Sequence, residues 1–364
     1  MEAGARAGGL EAQAGVVCSG SFTAFPSEAL MTRRAGFGLF LLALCALVAP
    51  APSHAAGKPL KIGFVAIDMS ADSISTAYKS LKEIADQNGW TMNLADCQGT
   101  VAKMSSNMIN MVTWKADAIV VSGGEPSVIQ EGVAAADKAK IPVFLQDTGN
   151  IGDTIVNATS NGWAMGAYLA SQAMDKMRIN HPNKKVKNVL IMGNLDLFVH
   201  RQRIQMYKAV VESPEYKDMK VVGIEAINPT DWAGSSYDIA RTYLTKYGKD
   251  LDAILCTWDG LSWGVSRAII DAGYTKDDVF TMGIDGSAKT YDLIRKGDPL
   301  VGVVAQDFGG WSRSTASAIK KILVEGKDPK TVIPASRTVF VPFKWVDGTN
   351  VPAPGQGVKF ESMD

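Results

Sequence analysis

From Leu60 onward the chain alternates between short apolar runs rich in β-branched residues and longer stretches whose apolar positions recur with helical period. Segment 61–67, which opens Lys61-Ile-Gly-Phe-Val, reads as a strand buried on both faces. Ala77, Leu81, Ile84 and Ala85 follow at i, i+4, i+7 and i+8, one face of a helix. Asn88-Gly89 ends that helix with residues suited to a left-handed cap. The cycle then repeats. Strands are expected at 91–95, 118–122, 141–146, 189–192, 221–226, 253–256, 279–284 and 301–305, with helices in most of the intervals. Alternation of this kind predicts right-handed βαβ units, and so an α/β fold of parallel sheets with helices on both faces.

A weak internal repeat lies on top of this pattern. Asp117-Ala-Ile-Val-Val opens one strand, and a helix and Ile141-Pro-Val-Phe-Leu-Gln-Asp147 follow. Asp252-Ala-Ile-Leu-Cys opens another, and a helix and Val279-Phe-Thr-Met-Gly-Ile-Asp285 follow at nearly the same spacing. Both copies end a hydrophobic strand in an acid beside a turn containing Gly149 or Gly286. Two similar α/β lobes are implied, each offering a carboxylate at the C-terminal edge of a sheet, where open α/β sheets bind ligands.

The N-terminus follows a different rule. Arg33-Arg34 precede an apolar run over 37–48, and Pro50-Ala-Pro-Ser-His-Ala-Ala follows it. A positive start, about a dozen apolar residues and a small-residue exit are the marks of a secretory signal peptide. The run is short for a membrane span of about 20 residues. Ser53 and Ala55 fit the −3 and −1 positions, which puts cleavage after Ala55. Met31 is the better start of such a peptide, so residues 1–55 are read as an upstream extension plus a signal.

Composition narrows the function classes. Lys+Arg 37 against Asp+Glu 37 gives no net charge, which argues against a partner of nucleic acid or anionic membrane. Removing 1–55 takes three acids (Glu2, Glu11, Glu28) and three bases (Arg6, Arg33, Arg34), so the balance holds. His54, His181 and His200 are the only histidines, and Cys97 and Cys256 the only cysteines after the signal. They offer few parts for a zinc site or a histidine-based triad. Each cysteine follows a different expected strand, so two separate buried thiols are expected. There is no Gly-x-Gly-x-x-Gly or P-loop spacing, no Gly-x-Ser-x-Gly elbow and no nucleophile–base pair, so neither an enzyme nor a cofactor is expected.

What the strand ends do carry is chemistry suited to polyhydroxylated solutes. Vicinal hydroxyls want planar bidentate partners, and the C–H faces of a sugar want flat aromatic surfaces. Asp68, Asp147, Asp196, Trp232, Trp258-Asp259, Asp285 and Gln306 all fall just after expected strands, and Arg201 opens a helix after one. An aspartate there can equally be a helix N-cap. That role is accepted for Asp259 and stays open for Asp68, while the glycine-containing turns at Asp147 and Asp285 suit a cap less well. Trp232 and Trp258 are expected in loops at the cleft.

On these residues the chain resembles the periplasmic sugar-binding proteins of the ribose/galactose type. The segments that carry the likeness are Ile62-Gly-Phe-Val, Asp117-Ala-Ile-Val-Val, Ile141-Pro-Val-Phe, Asp252-Ala-Ile-Leu, Met282-Gly-Ile-Asp285-Gly286 and Gly302-Val-Val-Ala-Gln306, in that order. The resemblance implies two Rossmann-like lobes with parallel sheets and a three-segment hinge, the type I periplasmic binding protein fold. It places 60–160 plus 307–335 in the first lobe, 161–306 plus 337–343 in the second and 344–364 in a tail, with crossovers near Ser160, Gln306 and Ser336. It implies ligand contacts from Asp147, Asp285, Gln306, Arg201, Trp232, Trp258 and Asp68, with His200 or Gln202 taking the place of Arg201 if the alignment shifts by one. The expected role is a monomer in the periplasm that hands a sugar-like solute to an ABC transporter permease. A sensor that presents its ligand state to a membrane kinase or chemoreceptor is the alternative. Where ribose binders of this type carry an asparagine and two phenylalanines, this chain has Ser70-Ala-Asp-Ser-Ile74. Thr148 replaces a neighbouring arginine, and Trp258 an asparagine. These departures imply another sugar, a cyclic polyol or a small organic solute rather than plain ribose.

Overall fold

Two six-stranded sheets of matching design organise the computed structural model, which describes residues 59–361. The expected signal and cleavage site fall outside that range. The first sheet takes β1 (Lys61–Ala66), β2 (Thr91–Asp96), β3 (Ala118–Ser122), β4 (Val143–Gln146) and β5 (Asn157–Thr159). The second takes β6 (Lys187–Gly193), β7 (Met219–Ala226), β8 (Leu251–Cys256), β9 (Phe280–Asp285) and β10 (Leu300–Gln306). Two late strands complete them, β11 (Thr338–Phe340) on β5 and β12 (Phe343–Asp347) on β10. The orders are β11-β5-β4-β3-β1-β2 and β12-β10-β9-β8-β6-β7, so each sheet repeats the other strand for strand. All pairs are parallel except β10–β12.

The strand sequences explain their places. β3, β8 and β9 are buried at every position, as a parallel strand covered by helices on both faces must be. β2 and β7 lie at the sheet edges and mix exposed with covered positions. The helices α1 (Asp72–Gln87), α2 (Met104–Thr113) and α3 (Gln130–Lys138) connect the strands of the first sheet. After β5 come α4 (Gly162–Asn180), α5 (Phe198–Val211), α6 (Trp232–Tyr247), α7 (Asp259–Asp271) and α8 (Ala288–Lys296) around the second. Helix α9 (Phe308–Ile319) then returns to pack on α1. Among the described residues no helix is long and apolar enough to cross a membrane.

The chain passes between the sheets three times: after Thr159, after Gln306 and between Phe340 and Phe343. A side-chain cap fixes the helix that follows each of the first two passages. Asn161 accepts from the Ala164 N–H, and Asp307 from the Gly310 N–H. The third passage falls later than the expected Ser336. The resemblance places residues 338–340 in the second lobe, yet they extend the first sheet beyond β5, with the Asn157 N–H donating to the Arg337 carbonyl. The resemblance makes residues from 344 onward a tail, yet most of β12 lies there, paired to β10. Cys97 and Cys256 are buried free thiols.

The sequence repeat has a structural counterpart at the opposite edge from the cleft. The Asp117 carboxylate accepts from the backbone N–H of Lys61 at 2.8 Å, and that of Asp252 from the backbone N–H of Asn188 at 2.7 Å. Each acid thus anchors the first residues of its sheet's leading strand. Asp252 is fully buried and also takes the Lys184 ammonium at 2.8 Å. Removing one partner of a buried charge pair costs about 3–5 kcal/mol. Asp252→Ala is expected to lower the urea midpoint by a loss of about 3 kcal/mol at unchanged slope. A loss below about 1 kcal/mol would show that the anchor is dispensable.

Candidate functional site

The C-terminal strand ends of both sheets meet around one narrow cavity of about 60 Å³. Asp68 reaches it from beyond β1 and Asp147 from the end of β4. Asn194 enters after β6, Trp258 after β8 and Asp285 from the last position of β9. Trp232, the first residue of α6, adds an aromatic wall, and the inner face of α5 adds His200 and Arg203.

Arg203 is the electrostatic centre. Its side chain is 1% exposed. Nη2 donates to Asp147 Oδ2 at 3.2 Å, Nη1 donates to the Thr257 carbonyl at 2.8 Å, and Nη1 lies 3.7 Å from Asp285 Oδ1. A single guanidinium therefore bridges a carboxylate of the first sheet and one of the second. Each acid also takes one further donor. Thr159 Oγ1 donates to Asp147 Oδ1 at 2.5 Å, and Gln306 Nε2 to Asp285 Oδ1 at 2.6 Å.

The backbone at both acids is unusual. Asp147 has φ 47° and Asp285 φ 124°, conformations that a side-chain-bearing residue occupies at a cost of order 1–3 kcal/mol. The turn after Asp285 leaves no choice of residue. Gly286 has φ +84°, and a Cβ there would stand 2.8 Å from Ala305 Cβ. Asp259 holds this turn from α7, accepting from Gly286 N–H at 3.1 Å, Ser287 N–H at 2.9 Å and Thr290 Oγ1 at 2.6 Å. Asp259 thus does not cap its own helix, as the sequence suggested; its carboxylate pins the neighbouring loop and so aims Asp285.

Aromatic rings close the other side. His200, Trp258, Trp232 and Trp263 form an edge-to-face chain with centroids 5.2, 5.8 and 5.8 Å apart. His200 Nδ1 accepts from the Asn194 N–H at 3.4 Å and lies 2.7 Å from Thr257 Oγ1. Burial, together with the positive charges of Arg203 and Arg201, holds its pKa well below the usual histidine value. It is a neutral imidazole, with Nδ1 as acceptor and the proton on Nε2.

This two-sheet arrangement has known counterparts. Residues 62–328 match the family described as a periplasmic binding protein domain. The chain belongs to the periplasmic binding protein family. Among curated members, a putative rhizopine-binding protein of Rhizobium meliloti is 24% identical over 272 residues, 72% of this chain and 82% of that protein. The ribose import binding protein of Salmonella typhimurium is 22% identical over 228 residues, 61% and 71%. In solved structures, an ABC sugar transporter subunit from Rhodobacter sphaeroides superposes with TM-score 0.68 at 26% identity, covering 80% of this chain and 99% of that one. The type I periplasmic binding protein fold expected from the sequence is the observed one.

Of the residues singled out in sequence, Asp68, Asp147, Asp285, Trp232 and Trp258 share the cavity. The tryptophans sit at helix N-termini rather than in loops: Trp258 is the N-cap of α7 and Trp232 begins α6. Arg201 does not line the cavity. It points away, donating from Nη2 to Glu125 Oε2 at 2.9 Å and from Nη1 to the Leu195 carbonyl. Two residues further along, about 200° around the helix, Arg203 occupies the position expected of it. Gln306 lies behind Asp285 as its hydrogen-bond donor, outside the cavity lining. Asp196 is likewise absent from the lining. His200, which the resemblance offers only as an alternative to Arg201, is a wall of the site. The signal for Arg203 was present, since Val199, Arg203, Ile204, Tyr207 and Val211 form the buried stripe of α5. A charged residue inside an apolar stripe needs a buried partner.

The site carries a pH signature. Burial pushes the Asp285 carboxyl up to about 8, with Arg203 opposing and Asp259 and Asp147 adding to the rise. Asp147 also moves up by burial, against Arg203 and the Thr159 hydroxyl. In the unfolded chain an aspartate releases its proton near pH 4. The native state therefore binds more protons from there to about pH 8, and stability falls as pH rises across that interval. Neutral His200 acts in the opposite sense below about pH 6.5, where only the unfolded chain takes up its proton. Between about pH 6.5 and about pH 8 the Asp285 effect is the one left of these two. Thermal scans should show Tm falling across this window, with Asp285→Asn flattening the slope. A wild-type Tm that is level or rises there contradicts the assignment.

Proposed function

We propose that this chain is a periplasmic solute receptor that closes its two lobes on a sugar or sugar-like polyol and delivers it to an ABC transporter permease. Family membership supports a binding role, and the likeness to an ABC sugar transporter subunit supports the transport partner. The observation that carries the reading is the cavity itself. Carboxylates from both sheets, a guanidinium between them and indole rings beside them are the groups that recognise hydroxyls and C–H faces together.

The mechanism follows from where these groups are attached. Asp68 and Asp147 belong to the first lobe, and Arg203, His200, Trp232, Trp258 and Asp285 to the second. A solute touching both sets binds the closed arrangement more tightly than an open one, so it shifts the population toward closure about the three crossovers. Two further contacts span the same gap and define the closed form: Arg201 with Glu125, and Trp232 Nε1 with Ser70 Oγ at 3.4 Å. The permease then recognises a surface that only the closed lobes present together.

A thermal-shift panel of sugars and polyols should yield a ligand that stabilises the protein by about 2.7 kcal/mol at a hundredfold excess over its Kd. The same ligand should shift the indole fluorescence, and Trp258→Ala should remove most of that shift. Asp147→Ala should weaken binding by about 1.5–3 kcal/mol, roughly ten- to a hundredfold, measured by calorimetry. A ligand whose affinity Asp147→Ala leaves unchanged would overturn the placement of the site, and a panel without a single hit would overturn the ligand class.

A further inference from the structure

The segment 197–201, which opens α5 in the second lobe, faces two ways. Val199 and His200 line the cavity, while Phe198 and Arg201 stand outside the lining and meet the first lobe directly. Leu197 does both. It is 6% exposed and joins a buried apolar cluster whose other members, among the described residues, all come from the first lobe. The edge of the Phe198 ring lies against Gly149, so close that a Cβ there would stand 2.8 Å from its Cδ1. Gly149 has φ +100°, so the first lobe offers bare backbone at this point of contact. Arg201 makes the third contact. The Leu195 carbonyl of its own lobe holds Nη1 at 2.9 Å, which leaves Nη2 to donate to Glu125 Oε2 at 2.9 Å. Glu125 is fixed in its turn, with Oε1 accepting from the Ser127 hydroxyl at 2.9 Å. Each end of this ion pair is held by its own lobe, so little side-chain freedom is lost when the lobes meet.

From these contacts we infer that the 197–201 segment is a clamp between the lobes. The Phe198 ring and the Arg201 guanidinium stabilise the closed arrangement by protein–protein contact alone, and so scale affinity by one common factor for every solute the cavity accepts. The inference rests on the lobe-closing reading of the proposed function and adds its regulation. A solute that binds the closed form has an apparent Kd equal to its intrinsic Kd divided by the closed fraction. Groups in the lining act on the intrinsic Kd and discriminate among solutes. Phe198, Arg201 and Glu125 lie outside the lining and act on the fraction. The ion pair is also unequal. The Arg201 side chain is 39% exposed and that of Glu125 8%. Removing the guanidinium leaves a buried carboxylate without its cation in the closed form, whereas removing the carboxylate leaves a cation that water still reaches. Arg201→Gln therefore favours opening more than Glu125→Gln does, and combining the two substitutions recovers part of the loss.

Small-angle scattering of the protein without added solute reads the closed fraction directly. Arg201→Gln and Phe198→Ala should each enlarge the radius of gyration, with the Arg201→Gln, Glu125→Gln double variant between Arg201→Gln and wild type. Phe198→Ala keeps the test intact if the first variant does not fold. Radii equal to that of wild type in both single variants overturn the clamp. Calorimetry with myo-inositol, D-ribose and D-arabinose supplies the second arm. Arg201→Gln should weaken every probe that binds by about five- to tenfold, with factors that agree within about threefold from probe to probe. Factors further apart than that place Arg201 on the solute rather than on the lobes and overturn the inference. A double variant whose loss equals the product of the two single losses overturns the ion pair as the source. Should none of the three probes bind, the polyol reading is what fails, and the scattering result still decides the clamp.

Discussion

Arg203 is the constraint on which the rest of the site depends. A guanidinium cannot shed its charge, and here it is withdrawn almost wholly from water. It must therefore be surrounded by acceptors, and the chain supplies them from three directions: Asp147, Asp285 and the Thr257 carbonyl. Two of these belong to the same lobe as Arg203 and travel with it. Asp147 does not. Any rotation of one sheet against the other changes the Arg203–Asp147 separation while leaving the other two contacts intact. The pairing of buried charges and the relative position of the lobes are in this way a single variable.

The local structure around Arg203 exists to hold the two acids in conformations they would not choose. Both have positive φ, both end strands of the same rank in the two sheets, and both precede glycines that tolerate the turn. The strain is opposed by fixed hydrogen bonds: Thr159 on Asp147, Gln306 on Asp285 and Asp259 on the loop after Asp285. Thr159 and Gln306 are the last residues before the chain crosses between the sheets. The crossovers are thereby linked to the binding carboxylates through one side chain each. A hinge placed one hydrogen bond from the cavity responds directly to what enters it.

Much of this architecture could be read in advance because it follows from periodicity. Strands buried on both faces declare themselves as unbroken apolar runs, and the duplicated strand–helix–strand–acid unit pointed to two sheets of one design. The short strands escaped notice for a physical reason. Three residues at 157–159 and three at 338–340 are too few to show a period, and tertiary pairing alone makes them strands. The acids and the cleft tryptophans stood out because loops at strand ends gave them little else to do. Arg201 and Arg203 were separated only by helix phase. The buried stripe of α5 contains the second and turns the first toward Glu125, a distinction that spacing from a motif does not make but the stripe does. His200 entered only as an alternative to Arg201, and its neutral state was not legible, since burial and two neighbouring arginines create it.

In the proposed function one solute sits between the lobes, against Arg203 and its two acids. A crystal structure of the complex with the tightest ligand from the sugar and polyol panel would decide it. The predicted result is a ligand within hydrogen-bond distance of Asp147 and Asp285 with a ring face or C–H edge on Trp258 or Trp232, and with the lobes closed over it. A ligand bound outside this cavity, or bound by residues of one lobe alone, would contradict the claim.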